Sequence, residues 1–385
     1  MSPQAEAFRA EVRAFLAEHV TDEMREAVHN GTLHDWDLHR KIAEKGWLRA
    51  GVPTELGGHG RDPLEMAVLW EEMTLACAPY DGMSVAILVA CVLLSVGNDF
   101  LKNDVAERIL RGEGLASLGY SEPESGSDVA AAATKAVRDG DQWVINGQKM
   151  WTSLAHEASW IILLTRTNPD VPKHKGLTMF IVPTDTPGIE VQPVWTMGTE
   201  RTNATFYDDV RLDDTWRLGD VDRGWDVMKV ALSFERGVMG GTLHSDPLLQ
   251  TAIDYASTAT RTDGSRVIDD PVVRERLTRA AVDVEVARLM TYRAAWVAAN
   301  GRPSGLEGTM VKLFATEAYK KHAHWFLDMA GREGLLRYDD PDAPLHGYIE
   351  ESWRHAPVMT IYGGTSEISR NMVAEHHLGL PRARR

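Results

Sequence analysis

One carboxylate stands out by its spacing. Trp225, Met228, Leu232, Glu235 and Met239 recur at intervals of three and four, which sets them on one stripe of a helix. Lys229, Ser233 and Arg236 fall on another face. A carboxylate on a buried stripe loses solvation, and its pKa rises toward the range of a general base. Two readings of Glu235 stay open here: a proton-abstracting base, or a structural acid paired with an arginine. A second concentration of chemistry is Gly119-Tyr120-Ser121-Glu122-Pro123-Glu124-Ser125-Gly126-Ser127-Asp128. Its hydroxyls, glycines and amides suit a polar heteroaromatic ring or a phosphate, and equally a turn capped by Ser127 or Asp128. Trp151-Thr152-Ser153 offers a ring to stack on a flat cofactor beside hydroxyls for its edge, or a core plug. Near the C-terminus, Ile361-Tyr362-Gly363-Gly364-Thr365-Ser366-Glu367-Ile368 can receive a polar ligand at a helix start, or form a turn capped by Thr365 or Ser366.

The elements that must hold these segments follow three periods. Up to about residue 115 the pattern is helical: Ala7, Val12, Phe15 and Leu16 first, then Ile42, Ala43 and Trp47. Glycines 57, 58 and 60 punctuate this zone, and with no strand before them they are not a dinucleotide fingerprint. From Leu115 to about Asp220 the period becomes that of strands, with Asn146-Gly147 expected as a hairpin turn between Gln142–Ile145 and Gln148–Trp151. Trp160–Thr167, Leu177–Val182 and Ala204–Leu212 read as further strands. After Gly224 the helical period returns: Leu277, Ala281, Val284 and Arg288 share one helix ending at Asn300-Gly301, and a last helix runs from Ser366. The expectation is an α+β chain: a helical unit over 1–115, a β unit over 116–222, and a helical unit over 223–385.

Composition narrows the classes. The 385 residues are 44% hydrophobic and 25% charged, the balance of a soluble globular protein. The net charge of −15 repels phosphate backbones, so no nucleic-acid partner is expected. The most apolar run, Met83–Gly97, suits a buried helix and is too short for a membrane span. Cys77 and Cys91 lack metal-ligand spacing, and the N-terminal residues lack a signal-peptide pattern, so a cytoplasmic location is expected. No histidine has companions at zinc spacing, so no metal is expected.

The Tyr-Ser-Glu-Pro…Gly-Ser-Asp loop, the Asn-Gly-Gln-Lys-Met-Trp segment and the closing Tyr-Gly-Gly-Thr-Ser-Glu-Ile together resemble the acyl-CoA dehydrogenase family of flavoproteins, over essentially the whole chain. The resemblance implies an N-terminal helical domain, a central β-barrel or sandwich and a C-terminal four-helix bundle, with FAD held without a dinucleotide-binding domain. It implies that Tyr120 and Ser121 contact the flavin ring, that Ser127 sits between flavin and thioester, and that Trp151 stacks with Ser153 at the ring edge. Thr365 and Glu367 would approach the FAD, and Arg261 would reach a neighbouring subunit's FAD pyrophosphate. Arg236 matches a CoA-contacting arginine, with Tyr362 and Gly363 on the substrate side. The implied reaction is α,β-dehydrogenation of an acyl-CoA: a base takes the α-proton while the β-hydrogen leaves as hydride to flavin N5.

Three departures from the family pattern carry information. The base commonly follows the tyrosine of the closing motif, where this chain has Gly363; Glu235-Arg236 matches a branch with the base on the helix opening the third domain. The usual Arg-x-x-Phe-Gly reads Arg261-Thr262-Asp263-Gly264-Ser265, and Gln-x-x-Gly-Gly-x-Gly reads Asp328-Met329-Ala330-Gly331-Arg332-Glu333-Gly334. The pattern looks nearest to members acting on bulky acyl-CoAs such as steroid side chains, some of them α2β2 heterotetramers. The implied partners are an acyl-CoA, an electron-transfer flavoprotein, and either copies of this chain in a dimer or tetramer or a related subunit. The alternatives are an oxygen-using flavin oxidase or monooxygenase on the same fold, a non-catalytic subunit of a heteromeric dehydrogenase, and a CoA-ester reductase.

Overall fold

The computed structural model describes residues 2–238, 243–302 and 304–382, with the side chains of 235–238 outside the described set. The N-terminal layer is helical: α1 (Pro3–His19), α2 (Asp22–His29), α3 (Trp36–Glu44), α4 (Pro63–Leu75), α5 (Asp81–Val96) and α6 (Glu107–Leu110). Helix α1 starts where Ser2 accepts from the Ala5 N–H at 3.1 Å, with Pro3 in the first turn where a missing N–H costs nothing. Its buried stripe is Ala5, Phe8, Val12, Phe15 and Leu16, so Ala7, expected to face inward, faces out. Helix α5 is buried from Gly82 to Leu93 except at Val85, as an all-apolar helix must be. No described helix is long and apolar enough to cross a membrane.

The central layer is one mixed eight-stranded sheet: β1 (Ala116–Gly119), β2 (Lys135–Asp139), β3 (Gln142–Lys149), β4 (Trp160–Arg166), β5 (Leu177–Pro183), β6 (Ile189–Trp195), β7 (Arg201–Asp213) and β8 (Arg217–Leu218). Along the sheet the order is β6-β7-β3-β2-β4-β5-β8, and β1 pairs parallel with β4. Strand β4 is buried on both faces: Trp160, Ile162 and Leu164 join the core shared with the N-terminal helices, and Ile161 and Leu163 join a second core with Trp143, Phe180 and Tyr207. That double burial explains its unbroken apolar run. Asn146-Gly147 is not a hairpin turn. Strand β3 runs straight through it with a bulge, because Gly147 (φ +148°) passes within 2.7 Å of Thr134 once a Cβ is added. The turn is Gly140-Asp141, with Gly140 at φ +63° in the first of its two positions.

The C-terminal layer comprises α7 (Gly224–Val238), α8 (Leu248–Thr258), α9 (Pro271–Ala299), α10 (Gly305–Ala330), α11 (Tyr348–Met359) and α12 (Ser366–Met372). Helix α9 buries Val273, Leu277, Ala280 and Ala287, and it carries Leu277, Ala281, Val284 and Arg288 on one helix as expected. On α7 the buried described residues are Gly224, Val227, Met228 and Ala231, with Trp225 and Leu232 half-buried beside them. Gly224 lets α7 start against the backbone of Leu177, at 2.8 Å from an added Cβ, which fixes the helix to the sheet.

A polar knot joins the first and third layers. Arg9 on α1 reaches Glu71 (3.2 Å), Glu72 and the Tyr292 hydroxyl (3.0 Å); Tyr292 in turn donates to Glu71. Burial opposes the Glu71 carboxylate, but His244, Tyr292 and Arg9 outweigh it and hold its pKa at about 2, against 4.5 ordinarily. The folded value lies below the unfolded one, so this stabilisation is full above about pH 4.5 and is lost as pH falls toward about 2. Glu71→Gln is expected to flatten that acid limb, by at most roughly 3 kcal/mol, in denaturant melts across this range. An acid limb identical to the native one would remove the knot's assigned role.

Candidate active site

The loop after β1 is set by a buried ion pair. The Lys149 ammonium, its side chain 0% exposed, donates to Glu122 Oε1 at 2.8 Å and to the Tyr120 carbonyl at 3.2 Å. The Glu122 carboxylate also accepts from the N–H groups of Ala133 (2.7 Å) and Thr134 (2.9 Å). Burial works against the Glu122 anion, yet Lys149 and the two amides keep its pKa below the usual carboxylate range. Burial pulls Lys149 down to about 8, which leaves it charged at neutral pH opposite Glu122. The Met150 N–H donates to the Ser121 carbonyl at 2.9 Å, so Tyr120 and Ser121 lie directly beside Met150-Trp151.

Trp151 sits at φ +64° and 56% exposed, so it does not plug a core. A non-glycine residue there costs about 1–2 kcal/mol, and its neighbours hold it. The buried Asn203 amide donates to the Thr152 carbonyl (2.9 Å), while the Thr152 N–H donates to the Asn203 carbonyl (2.9 Å). Ser153 Oγ meets Thr202 Oγ1 at 3.0 Å, and Ser117 Oγ donates to the Ser153 carbonyl. An exposed indole thus stands on rigid backing beside Ser121, with the exposed Ser127 and Ser153 hydroxyls on the same two loops.

The second half of the site follows α11. Gly363 and Gly364 take φ of +61° and +94°, a path that glycine follows without strain. Lys312 donates to the Gly364 carbonyl, and Thr365 Oγ1 accepts from the Ile368 N–H at 3.2 Å, so Thr365 is the cap of α12. Tyr362 is 45% exposed and Glu367 is exposed. A cleft of about 740 Å3 between α10, α11 and α12 is lined by Lys320, His324, Trp353, Thr365 and Glu367. Ser366 Oγ on its wall is buried without a hydrogen-bond partner among the described residues. The turn between β6 and β7 links the halves: Glu200 pairs with His355, Arg354 donates to the Met197 carbonyl at 2.6 Å, and Thr202-Asn203 follow directly.

Two assignments stand elsewhere. Arg261 lies in the turn between α8 and α9, bonded to Asp270 at 2.7 Å, and nothing described brings it to the other site residues. The side chains of Glu235 and Arg236, on the last turn of α7, lie outside the described residues, as does Met239. Sequence reasoning overlooked Glu122, Lys149, Asn203 and the Glu200–His355 pair as positioning groups. The first two could have been found, since an acid and a base in neighbouring ligand motifs invite pairing.

Family models for the N-terminal, middle and C-terminal domains of acyl-CoA dehydrogenases match residues 2–113, 117–214 and 222–378. Among curated relatives, acyl-CoA dehydrogenase FadE26 of Mycobacterium tuberculosis is 34% identical over 396 residues, covering 100% of this chain and 99% of the relative. The chain belongs to the acyl-CoA dehydrogenase family. Two solved structures are similar over 100% of this chain and 99% of theirs: the Tcur3481-Tcur3483 steroid ACAD (32% identity, TM-score 0.90) and the ChsE4-ChsE5 complex of M. tuberculosis (34%, 0.89). The fold is the family's three-domain arrangement, its members are FAD-dependent, and acyl-CoA dehydrogenation is the family's activity. The residues present fit FAD: an exposed indole with hydroxyls beside it, and a cleft with a buried orphan hydroxyl and with Lys320 and Lys321 beside Glu317 and Glu367.

Removing either partner of the buried pair strands the other charge. Glu122→Gln and Lys149→Met are each expected to cost roughly 3–5 kcal/mol and to lower the flavin content of purified protein. The double variant should recover part of the stability, read by denaturant melts and absorbance. Full flavin retention in both single variants would show that the pair does not set the loop.

Proposed function

We propose that this chain dehydrogenates a bulky, ring-bearing acyl-CoA between the α and β carbons, with Glu235 as the base. The observation that carries the reading is the glycine at 363, with φ +61° and no side chain, in a chain that keeps the rest of the closing motif. With no carboxylate there, the acid has to come from another element, and Glu235 ends a helix that starts on the sheet and packs along α5. Losing a side chain beside the thioester also leaves room for a wider acyl group. The full-length similarity to FadE26 and to the steroid ACAD supports the same choice.

FAD, when bound, supplies the hydride acceptor. Trp151 would offer the stacking surface for its ring, Tyr120, Ser121 and Ser153 would meet the ring edge, and Ser127 would lie toward the thioester. Thr365 and Glu367 would hold the remainder of the cofactor. The Glu235 carboxylate takes the α-proton; Arg236 and Tyr362 orient the CoA ester; and the Gly363 N–H, or that of a neighbour, donates to the thioester oxygen as it gains charge. An electron-transfer flavoprotein is the proposed electron acceptor. A cytoplasmic setting is part of this reading, supported by the unpaired thiols of Cys77 and Cys91. Glu235→Gln is expected to keep the yellow cofactor and to lose anaerobic bleaching by substrate, about a 10^3-fold fall in rate or more. Normal bleaching would end the assignment.

The working unit is an assembly with a related subunit, in which Arg261 serves the partner's cofactor only in part. Support comes from α9 and α10, which expose Val282 (57%), Leu289 (55%), Trp296 (52%) and Met310 (41%), an apolar face of the kind an oligomer covers. The altered Arg261 and Asp328 segments support a non-identical partner, since Asp270 and Arg276 already engage them. Trp296→Glu should split the assembly in sedimentation runs and lower its flavin content. An unchanged sedimentation coefficient would place the interface on another face.

A further inference from the structure

Two pairs of consecutive residues reach the same two elements. Arg166 and Thr167 stand where β4 ends, and Lys173 and His174 stand in the loop from β4 to β5. The Arg166 guanidinium donates to the carbonyls of Ala130 (2.5 Å), Ala132 (3.3 Å) and Lys173 (2.6 Å), and so grips the turn Val129–Ala131 that follows Ser127-Asp128. Lys173 Nζ reaches Asp128, the neighbour of Ser127, at 2.5 Å. The second member of each pair turns to α7. Thr167 Oγ1 donates to Asp222, just before the helix, and the His174 ring stands edge-on to Trp225 in its first turn, at 4.6 Å. Successive side chains leave an extended chain on opposite sides, which is why one short stretch can hold two elements.

The stretch is itself stiff. The N–H groups of Thr167 (3.0 Å) and Asn168 (3.1 Å) both donate to the Gly176 carbonyl, and the Lys175 N–H donates to the Pro172 carbonyl at 2.7 Å. Pro169 and Pro172 fix two further backbone angles. At the base of the loop the buried Thr178 on β5 is the hub. Its hydroxyl accepts from the Asp222 N–H (2.9 Å) and meets Thr167 Oγ1 (2.8 Å), while its carbonyl accepts from the buried Thr165 hydroxyl (2.9 Å). Asp222 joins this chain of bonds at φ +62°, backbone that is costly for most residues with a Cβ and least so for Asp and Asn.

The two elements joined in this way are those between which the reacting carbons lie in the function proposed above: Ser127 on the thioester side, and the helix whose last turn carries Glu235. A helix carries a shift of its first turn along to its last, and a small misplacement of a base from its proton is costly in rate.

We propose that the loop from β4 to β5 is a bracket that sets the distance between thioester and base, with Arg166 and Asp222 as positioning residues for the dehydrogenation. Each acts through the element it holds. The inference rests on the acyl-CoA dehydrogenase reading with Glu235 as the base, and adds the groups that hold the base helix in place against the Ser127 loop.

The test uses the FAD-loaded assembly, 3-cyclohexylpropanoyl-CoA and the same ester carrying deuterium at the α carbon. Arg166→Lys keeps the charge but loses the three-carbonyl fork, and Asp222→Ala loses the acceptor for Thr167. Each should slow anaerobic bleaching about 10–100-fold and raise the α-deuterium effect, with the calorimetric Kd of the ester within about 3-fold of native. Asp222→Asn keeps an acceptor and suits left-handed backbone, so its rate should return to within about 3-fold of native. Amide hydrogen exchange, which needs no turnover, should quicken over residues 126–132 in Arg166→Lys and over 222–232 in Asp222→Ala. Native bleaching rates in both variants overturn the proposal, as does a fall in rate matched by an equal fall in ester affinity, or unchanged exchange in both segments. Quickened exchange in a protein that no acyl-CoA bleaches, the native one included, would uphold the bracket and overturn the dehydrogenase reading.

Discussion

The site depends on one buried ion pair. Lys149 and Glu122 belong to different segments, one at the end of a strand and the other in the loop after β1. An ammonium with no exposed surface is expensive to bury, and the cost is offset only because Glu122 is itself held by two amides and Lys149 also reaches the Tyr120 carbonyl. Such an arrangement tolerates one geometry. It therefore converts two irregular loops into a fixed surface, and it explains how loop residues attain the precision that helices and strands usually provide.

The same logic operates between layers. The β6–β7 turn contacts α11 through Glu200 and Met197 and supports Trp151 through Thr202 and Asn203, so the closing motif and the indole are positioned from one turn. Arg9, Glu71 and Tyr292 tie the first helix to α9 across the molecule. The proposed site residues are divided between layers in the same way, and a cofactor held by them would need no dinucleotide-binding domain.

Much of this was legible in the sequence where burial is complete or periodic. The α5 helix, the double-buried β4 and the α–β–α order follow from apolar patterning alone. Local turn chemistry was less dependable. Asn146-Gly147 has the composition of a hairpin, but Gly147 is required by the close approach of Thr134, a contact that no local rule contains. Ala7, grouped by spacing with Val12, Phe15 and Leu16, faces out because alanine fits core and surface alike. Of the two readings of Thr365, the cap of α12 is the one observed, and the residue also lines the cleft. Net charge says little about a local surface: −15 overall coexists with a cleft in which Lys320, Lys321 and His324 face Glu317 and Glu367.

At the site, exposure and unusual backbone occur together. Trp151 is a tryptophan in left-handed backbone with more than half its surface in solvent, Tyr362 is an exposed phenol, and two consecutive glycines follow it at positive φ. The glycines take that path freely and Trp151 does not, and both segments are backed by contacts: Asn203 at Thr152, Lys312 at Gly364. Other non-glycine residues share the left-handed backbone, among them Cys77, Asp209 and Leu345, so the backbone alone does not mark a site. What sets Trp151 apart is the combination: an indole more than half in solvent, held in a costly conformation by rigid support, which is what preorganisation for a flat ligand requires.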